Sequence, residues 1–360
     1  MEYKYWFAAE FPVSAAKKHR ILQAGYKPEE VYHLKEKEIV LFCAYFDIKQ
    51  EILINAKKSS DMGEKLREME KQGISLVVID DRDYPEKLRH IQSPPYGLFY
   101  KGTLPKNSVA AGIVGARKCS EYGRSTALSL GKILAENHVA VISGLAAGIG
   151  CAGHSGALAG KGKTYAVLGC GPDICYPKSS REIYENILSH SGGILSEYPP
   201  GTQPLPGHFP ERNRIISGLS DILAVVEAKK KSGSLITADF ALEQGKEIYA
   251  VPGRICDENF EGCNQLIDQG AGILYNLEKF LKDCNLKMEN CENILKCSQL
   301  GLEKEEQLLY SCLDSEPKFI DIIIEETGFS FLETLHLLNK LKKQGLVREC
   351  FKNYFCKKVY

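Results

Sequence analysis

Residues 207–245 read GHFPERNRIISGLSDILAVVEAKKKSGSLITADFALEQG. The stretch has three parts. First comes a loop carrying Phe209, Arg212, Asn213 and Arg214, which runs into a short apolar helix through Ile215, Ile216 and Leu219. Asp221 to Val226 is then an apolar run bounded by turn residues, the pattern of a strand buried on both faces. Last, Lys229-Lys230-Lys231-Ser232-Gly233-Ser234 opens a helix with apolar positions at Leu235, Ile236, Phe240, Ala241 and Leu242. Free N–H groups and the positive dipole end of such a helix face out from the strand's carboxyl edge, where they favour an anion. Two cationic clusters therefore flank one buried strand.

Working outward, strands and helices alternate. The strands are Val109 to Val114, Val139 to Ser143, Thr164 to Leu168, Gly193 to Glu197, Asp221 to Glu227, Glu247 to Val251 and Ala271 to Tyr275, and the clearest helix is Tyr122 to Glu136. This alternation requires a parallel sheet with helices on both faces. Ligands of such sheets bind at the carboxyl ends of the strands. Gly115-Ala116-Arg117, Ser143-Gly144 and Gly169-Cys170-Gly171 all fall there. Ahead of this body, Ile74 to Ile79 and Tyr96 to Tyr100 read as short strands around the stiff turn Ser93-Pro94-Pro95. Residues 1 to 70 read as short helices, interrupted by Gly25 and Pro28 and carrying the basic run Lys17-Lys18-His19-Arg20; a structural cap is the better reading than a backbone grip. Polar sequence at 286–300 reads as a linker. Beyond it, helices at Glu305 to Leu313, Ile320 to Glu326 and Phe331 to Gln344 precede a two-stranded wing at Leu346 to Lys358, the order of a winged helix-turn-helix. On its third helix Phe331, Leu335, Leu338 and Leu341 share a face, while Lys340, Lys342 and Lys343 come late. A protein partner suits that helix better than bases, which a recognition helix reads with its first residues.

Composition narrows the function. With 360 residues the chain can bury a large core and divide into two or three domains. Its 46 basic and 46 acidic side chains cancel, so anion binding must come from local clusters rather than bulk charge. The thirteen cysteines include no C-x-x-C pair, which speaks against a zinc site, and Cys43, Cys170 and Cys312 lie in apolar stretches. The start MEYKYWFAAEF has no signal-peptide pattern and no apolar run reaches membrane length, so a cytoplasmic protein with reduced, mostly buried thiols is expected.

Gly148-Ile149-Gly150-Cys151-Ala152-Gly153 satisfies G-x-G-x-x-G after a strand. A nicotinamide site would also need an acid at the end of the next strand, and Val167-Leu168-Gly169-Cys170-Gly171 has none. The glycines can still bring N–H groups close to a phosphate, or merely pack a helix on a strand. Arg117 at a strand end suits a bound anion, or a surface salt bridge. Phe209, between Gly207 and Pro210 with arginines nearby, suits a base stacked on a ring with phosphate on guanidinium, or a plug for the sheet end. His154 reads as structural, and no nucleophile stands with a base and an orienting partner.

At these residues the chain resembles the DprA/Smf family of DNA-processing proteins. The shared motifs are Tyr84-Pro85 with Leu88, Pro94-Pro95, Val114-Gly115-Ala116-Arg117, Ser143-Gly144-Leu145-Ala146, Tyr176-Pro177, Ser196-Glu197, Phe209-Pro210 with Arg212-Asn213-Arg214, Val226-Glu227-Ala228, Ser232-Gly233-Ser234 with Thr237-Ala238, Pro252-Gly253, and Leu266-Ile267 before Gly270-Ala271. The resemblance implies an α/β fold: an extended Rossmann-like sheet over 74–285, a small N-terminal helical domain (SAM/HhH-like) over 1–70 and a C-terminal winged helix over 301–360. It implies a homodimer through the Rossmann domain. It also implies a sequence-independent single-stranded DNA-binding protein that protects incoming DNA and loads RecA recombinase in natural transformation, with no catalytic activity, cofactor, metal or membrane. The family's DNA-contacting arginine falls on Arg117 and its stacking aromatic on Phe209. Around them the candidate phosphate and strand contacts are Gly115, Ser143, Gly144 and Gly148, then Arg212, Asn213 and Arg214, then Lys231, Ser232, Gly233, Ser234 and Thr237. One departure stands out: the family usually has Gly-Ile-Asp with Ala-His nearby, where this chain has Gly148-Ile149-Gly150 and Gly153-His154. The alternative is a nucleotide-binding Rossmann enzyme such as a nucleoside-monophosphate phosphoribohydrolase. Ser232-Gly233-Ser234 in place of a Pro-Gly-Gly-x-Gly-Thr loop discriminates against it.

Overall fold

The first strands do double duty. In the computed structural model, which describes residues 1–58, 61–106, 109–284, 304–314 and 317–357, a helical cap comes first. Its helices are α1 (Glu2–Tyr5, continuing as a π-helix over Trp6–Glu10), α2 (Ala15–Gln23), α3 (Pro28–His33), α4 (Glu36–Phe46), α5 (Gln50–Lys57) and α6 (Met62–Lys71). Strands β1 (Ser75–Val78) and β2 (Gly97–Gly102) follow as an antiparallel pair around the one-turn α7 (Glu86–Arg89). Successive strand residues point to opposite faces. Leu76, Val78 and Phe99 accordingly enter the core of the cap, with Trp6, Phe7 and Phe11, while Val77 and Leu98 enter the core of the body. The pair thus joins the two cores. Trp6 is fixed by its indole N–H donating to Ala56 O at 2.8 Å and by stacking on Phe11. The basic run of α2 is absorbed by this cap. Lys17 pairs with Asp47, and Lys18 is buried, donates to Ala8 O at 2.8 Å and has its pKa pushed down by burial to about 8.

The body continues β3 (Ala110–Val114), α8 (Glu121–Glu136), β4 (Ala140–Ser143), α9 (Ile149–Ala159), β5 (Thr164–Leu168), α10 (Arg181–Ser189), β6 (Gly193–Ser196), α11 (His208–Leu219), β7 (Ile222–Val225), α12 (Gly233–Glu243), β8 (Glu247–Ala250), α13 (Glu261–Asp268), β9 (Gly272–Ile273) and α14 (Leu277–Asp283). The nine strands lie in the order β1-β2-β6-β5-β4-β3-β7-β8-β9. Strands β3 to β9 are parallel, and the β1–β2 pair extends the sheet antiparallel beyond β6. Every residue of β3, β4, β5 and β7 is buried, which is why these strands read as unbroken apolar runs. The chain steps from β3 outward through β4 to β6, then returns to the other side of β3 as β7. The carboxyl ends of β3 and β7 therefore flank the topological switch point.

One expectation fails here. Phe209, Arg212, Asn213 and Arg214 are not on a loop: α11 already begins at His208. Gly207 and Pro210 read as loop residues, but a proline in a first helical turn lacks only an N–H that has no partner there anyway. The cysteines also differ. Cys43, Cys170, Cys263 and Cys356 are buried, Cys256 is exposed, and the other described ones, Cys312 included, are half-buried; none is in a disulfide.

A separate core forms between α15 (Lys304–Cys312), β10 (Lys318–Phe319), α16 (Ile320–Thr327), α17 (Phe331–Lys343), β11 (Val347–Phe351) and β12 (Tyr354–Lys357). The three strands pair antiparallel in the order β10-β12-β11. Gly328 adopts a positive φ of 71° to end α16, and a Ser330–Glu333 capping box starts α17. That helix buries Leu337, Leu338 and Leu341, with Leu335 half-buried, whereas Phe331 faces solvent. The expected linker at 286–300 lies outside the described residues. Among those described, no helix is long and apolar enough to cross a membrane.

Candidate nucleic-acid interface

At the switch point the carboxyl ends of β3 and β4, the first turns of α11 and the start of α12 enclose a cavity of about 350 Å³. The loop from Gly115 to Ser120 carries Arg117 and is fastened at both ends by Glu227, just past β7. Ala116 N donates to Glu227 O at 2.7 Å; Ser120 N and Oγ donate to the buried Glu227 carboxylate at 3.0 and 2.7 Å. Burial raises the pKa of that carboxyl, and the Ser120 hydrogen bonds oppose the rise. A Cβ on Gly115 would sit 2.7 Å from Ile149 Cγ1 and 2.9 Å from Glu227 O. Gly148 has φ +82°, and a side chain there would collide with Ala116 O and Arg117 O. These glycines allow the close approach that fixes the loop.

Arg117 itself is exposed. Among the described residues it forms no ion pair, and its guanidinium carbon lies 5.1 Å from the centre of the half-buried Phe209 ring. Phe209 rests against the end of β5, where a Cβ on Gly169 would come within 3.1 Å of Phe209 Cδ1. The ring therefore both covers the sheet end and borders the cavity. Arg212 is different: it is 5% exposed and donates to Gly144 O at 3.1 Å and to Val167 O. Burial lowers its pKa to about 10, so it stays charged at neutral pH. Its guanidinium ties the ends of β4 and β5 together while still bordering the cavity.

The far wall is the start of α12. Ser232 caps it, accepting from Ser234 N, and the two hydroxyls lie 2.7 Å apart. A Cβ on Gly233 would meet nothing within 4 Å, so the first turn is open to the cavity. Asn213 Nδ2 donates to Gly233 O at 3.2 Å and sets α11 against this turn. Of the lysine run, Lys229 pairs with Glu258 at 3.5 Å and Lys230 with Glu261 at 3.3 Å, while Lys231 is exposed and forms no ion pair among the described residues.

The cavity brings together Gly115, Arg117, Ser143, Gly144, Phe209, Arg212, Asn213, Ser232, Gly233, Ser234 and Thr237. Three candidates lie off its wall: Gly148, which holds the Arg117 loop; Arg214, which is buried and paired with Glu197; and Lys231, beside the α12 cap. Ile216 and Ile236 also line the wall without having been anticipated. They stand one helical turn beyond Arg212 and Ser232, so helical spacing would have found them. Gly150 also borders the cavity, where a Cβ would stand 3.0 Å from Ser143 Oγ. Glycine there leaves this part of the wall open and uncharged. The other motif glycines serve packing, Gly153 lying close to Ile113, and His154 is buried with Nδ1 2.6 Å from Thr164 Oγ1. Among the described residues no group of three or more His, Cys, Asp or Glu could hold a metal ion.

The family described as DNA recombination-mediator protein A matches residues 75–285. The chain belongs to that family. DNA processing protein DprA of Streptococcus pneumoniae is 44% identical over 207 residues, covering 56% of this chain and 70% of the relative. Protein Smf of Escherichia coli is 33% identical over 285 residues, 78% of this chain and 76% of its own length. Among solved structures, the X-ray structure of the S. pneumoniae protein superposes with a TM-score of 0.68 at 32% identity, covering 80% of this chain and 99% of that one. DNA processing protein A from Helicobacter pylori, described for its single-stranded DNA binding mode, gives 0.53 at 27% identity over 59% of this chain and 95% of that one. The family match spans the whole parallel sheet and all of the cavity wall.

Proposed function

We propose that the cavity holds single-stranded DNA without sequence preference, with phosphate at Arg117 and the α12 start and a base on Phe209. One observation carries this: an exposed arginine with no carboxylate partner among the described residues stands 5.1 Å from an aromatic ring beside an open helix start. Ring and guanidinium together suit base and phosphate of an unpaired strand. The single-strand binding mode of the H. pylori relative supports the reading. Hydrolase chemistry is disfavoured by the wall itself. Among the described residues it holds no carboxylate, Ser143 Oγ donates to Ile113 O at 2.6 Å, and the Ser232 and Ser234 hydroxyls engage each other.

Fluorescence anisotropy with an oligothymidylate and an equal-length duplex, across a salt series, tests this. Tight single-strand binding that falls steeply with salt is expected, because the contacts are mainly to phosphate. Equal affinity for duplex overturns the reading. Turnover of a nucleoside monophosphate that disappears in Arg117→Ala would replace it with the hydrolase alternative.

In this reading the protein acts in the cytoplasm in DNA processing during natural transformation, shielding incoming strands and handing them to RecA recombinase. A RecA nucleation assay in which this chain leaves the lag unchanged would remove that last step. Residues 1–70, 74–285 and 301–360 act as three units, the last a winged helix that meets a protein partner; the separate core of the C-terminal unit supports its division, while β1 and β2 contribute to the cores of both cap and body. The body pairs with a second copy at the β9 edge, where Leu242 (71% exposed), Ile273 and Tyr275 present apolar surface beside a two-residue strand. Light scattering should find a dimer for the native chain and a monomer for Leu242→Glu; an unchanged mass for the variant would rule out this edge.

A further inference from the structure

The aromatic surface does not stop at the cavity. Phe209 borders it on one side; on the other, the Tyr176 ring lies 5.6 Å away, centre to centre, tilted by 37°. Tyr176 does not line the cavity and is 43% exposed. It sits on the segment between β5 and α10, and that segment is pinned. Ser180 N donates to Pro177 O at 3.0 Å, Ser180 Oγ to Leu145 O at 3.2 Å, and Ile174 N to Gly171 O at 3.0 Å. The Leu145 anchor belongs to the loop after β4 whose neighbours Gly144 and Ala146 line the cavity. A large exposed ring is thus held at fixed distance from the ring that borders the site.

The other aromatic nearby serves as a contrast. Tyr198 stacks on His208 at 3.9 Å and 19°, and its hydroxyl donates to Glu211 Oε2 at 2.9 Å. One of its faces is covered, and the carboxylate beside it would repel a phosphate. Tyr176 differs: among the described residues it has no carboxylate partner, and its ring contact is to Phe209 alone, tilted rather than stacked.

We propose that Tyr176 is a second base-stacking platform, taking the base adjacent to the one on Phe209, so that a single strand leaves the cavity over the β5–α10 segment. This rests on the single-strand reading above. Stacking on a held ring suits any base, since each has a π face, and a pinned ring loses little freedom on binding. The strand would then run from the α12 start, past Arg117 and Phe209, to Tyr176, with phosphate recognition at one end and stacking at the other.

The test uses the full chain and a length ladder of oligothymidylates. Tyr176→Ala should bind the shortest bound oligomer as the native chain does. It should bind oligomers that reach both rings about 5–150-fold more weakly, the worth of one stacked base, with the salt slope unchanged. Tyr176→Phe should keep native affinity at every length. An abasic residue at the adjacent position should weaken native binding to the same extent, and combining it with Tyr176→Ala should add nothing further, as for two changes that remove one contact. Photocrosslinking with 5-iodouracil at that position should place the adduct on Tyr176. The ring is exposed, so Tyr176→Ala should melt as the native chain does. Native affinity of Tyr176→Ala at every length, with Arg117→Ala and Phe209→Ala both weakened, overturns the second platform and leaves the cavity reading standing. Native affinity of all three variants overturns the cavity reading itself.

Discussion

Arg117 and Arg212 approach the same Phe209 ring, at 5.1 and 6.0 Å, yet only one of them faces solvent. Arg117 stands on a loop after β3 and finds no carboxylate among the described residues. Arg212 stands on α11, where its guanidinium donates to the carbonyls of Gly144 and Val167. Arg214, two residues on, is buried and paired with Glu197. The α11 cations are therefore committed to the fold, while the loop cation is exposed and, in the proposed reading, meets a ligand. Residue type and sheet edge are shared; burial and partners decide the role. Removing a buried cation strands its partners and should show in stability. Removing an exposed one should show only in binding.

Arg214→Ala gives the largest expected effect. It leaves the Glu197 carboxylate without its ion partner in a largely buried site, and breaking a buried pair in this way costs about 3–5 kcal/mol. Denaturant unfolding measures it. A variant as stable as the native chain would show that the α11 cations are as dispensable to the fold as Arg117. Arg212→Met comes next. It deprives two strand-end carbonyls of a charged donor but keeps much of the apolar bulk, which offsets part of that cost, so a net loss of about 1.5–3 kcal/mol is expected. Binding should fall too, because the loop after β4 borders the cavity. The informative outcome is the ratio. Weakened binding at native stability would place Arg212 with Arg117 as a ligand cation and dissolve the contrast.

Why this contrast was only half legible in the sequence follows from the same residues. Of the seven parallel strands, β3 to β7 could be read because strands buried on both faces are unbroken apolar runs, and the β5 bounds, Thr164 to Leu168, coincide with the expected ones. The candidate cluster could be read because glycines and cations collect at the strands' carboxyl ends. What the sequence does not display is which cation is buried. Arg212 and Arg214 looked like loop residues because Pro210 precedes them, and a proline in a first helical turn is indistinguishable from one in a loop by composition alone. Glu227 was visible as the end of an apolar run, but its hold on Ser120 joins residues far apart in the chain. Gly148 likewise looked like a phosphate glycine, and its actual neighbours are the carbonyls of Ala116 and Arg117, a contact made only once β3 and α9 are packed.

The smallest expected effect tests the contrast within a single run of like residues. Lys229 and Lys230 already have carboxylate partners in Glu258 and Glu261, while Lys231 is exposed, stands one residue before the α12 cap and forms no ion pair among the described residues. None of the three is buried, so each alanine variant should stay within about 0.5 kcal/mol of native stability. Binding should separate them. Arg117→Ala and Lys231→Ala should each reduce the slope of log affinity against log salt by about one, the signature of one lost phosphate contact. Arg117→Ala should lose more affinity at fixed salt, because its guanidinium also lies against the Phe209 ring, the proposed stacking platform. Lys229→Ala should change the slope less than Lys231→Ala, because its charge is already partly neutralised by Glu258. Equal slopes for Lys229→Ala and Lys231→Ala would mean that the run acts as diffuse charge, and that pairing does not sort the lysines as burial sorts the arginines.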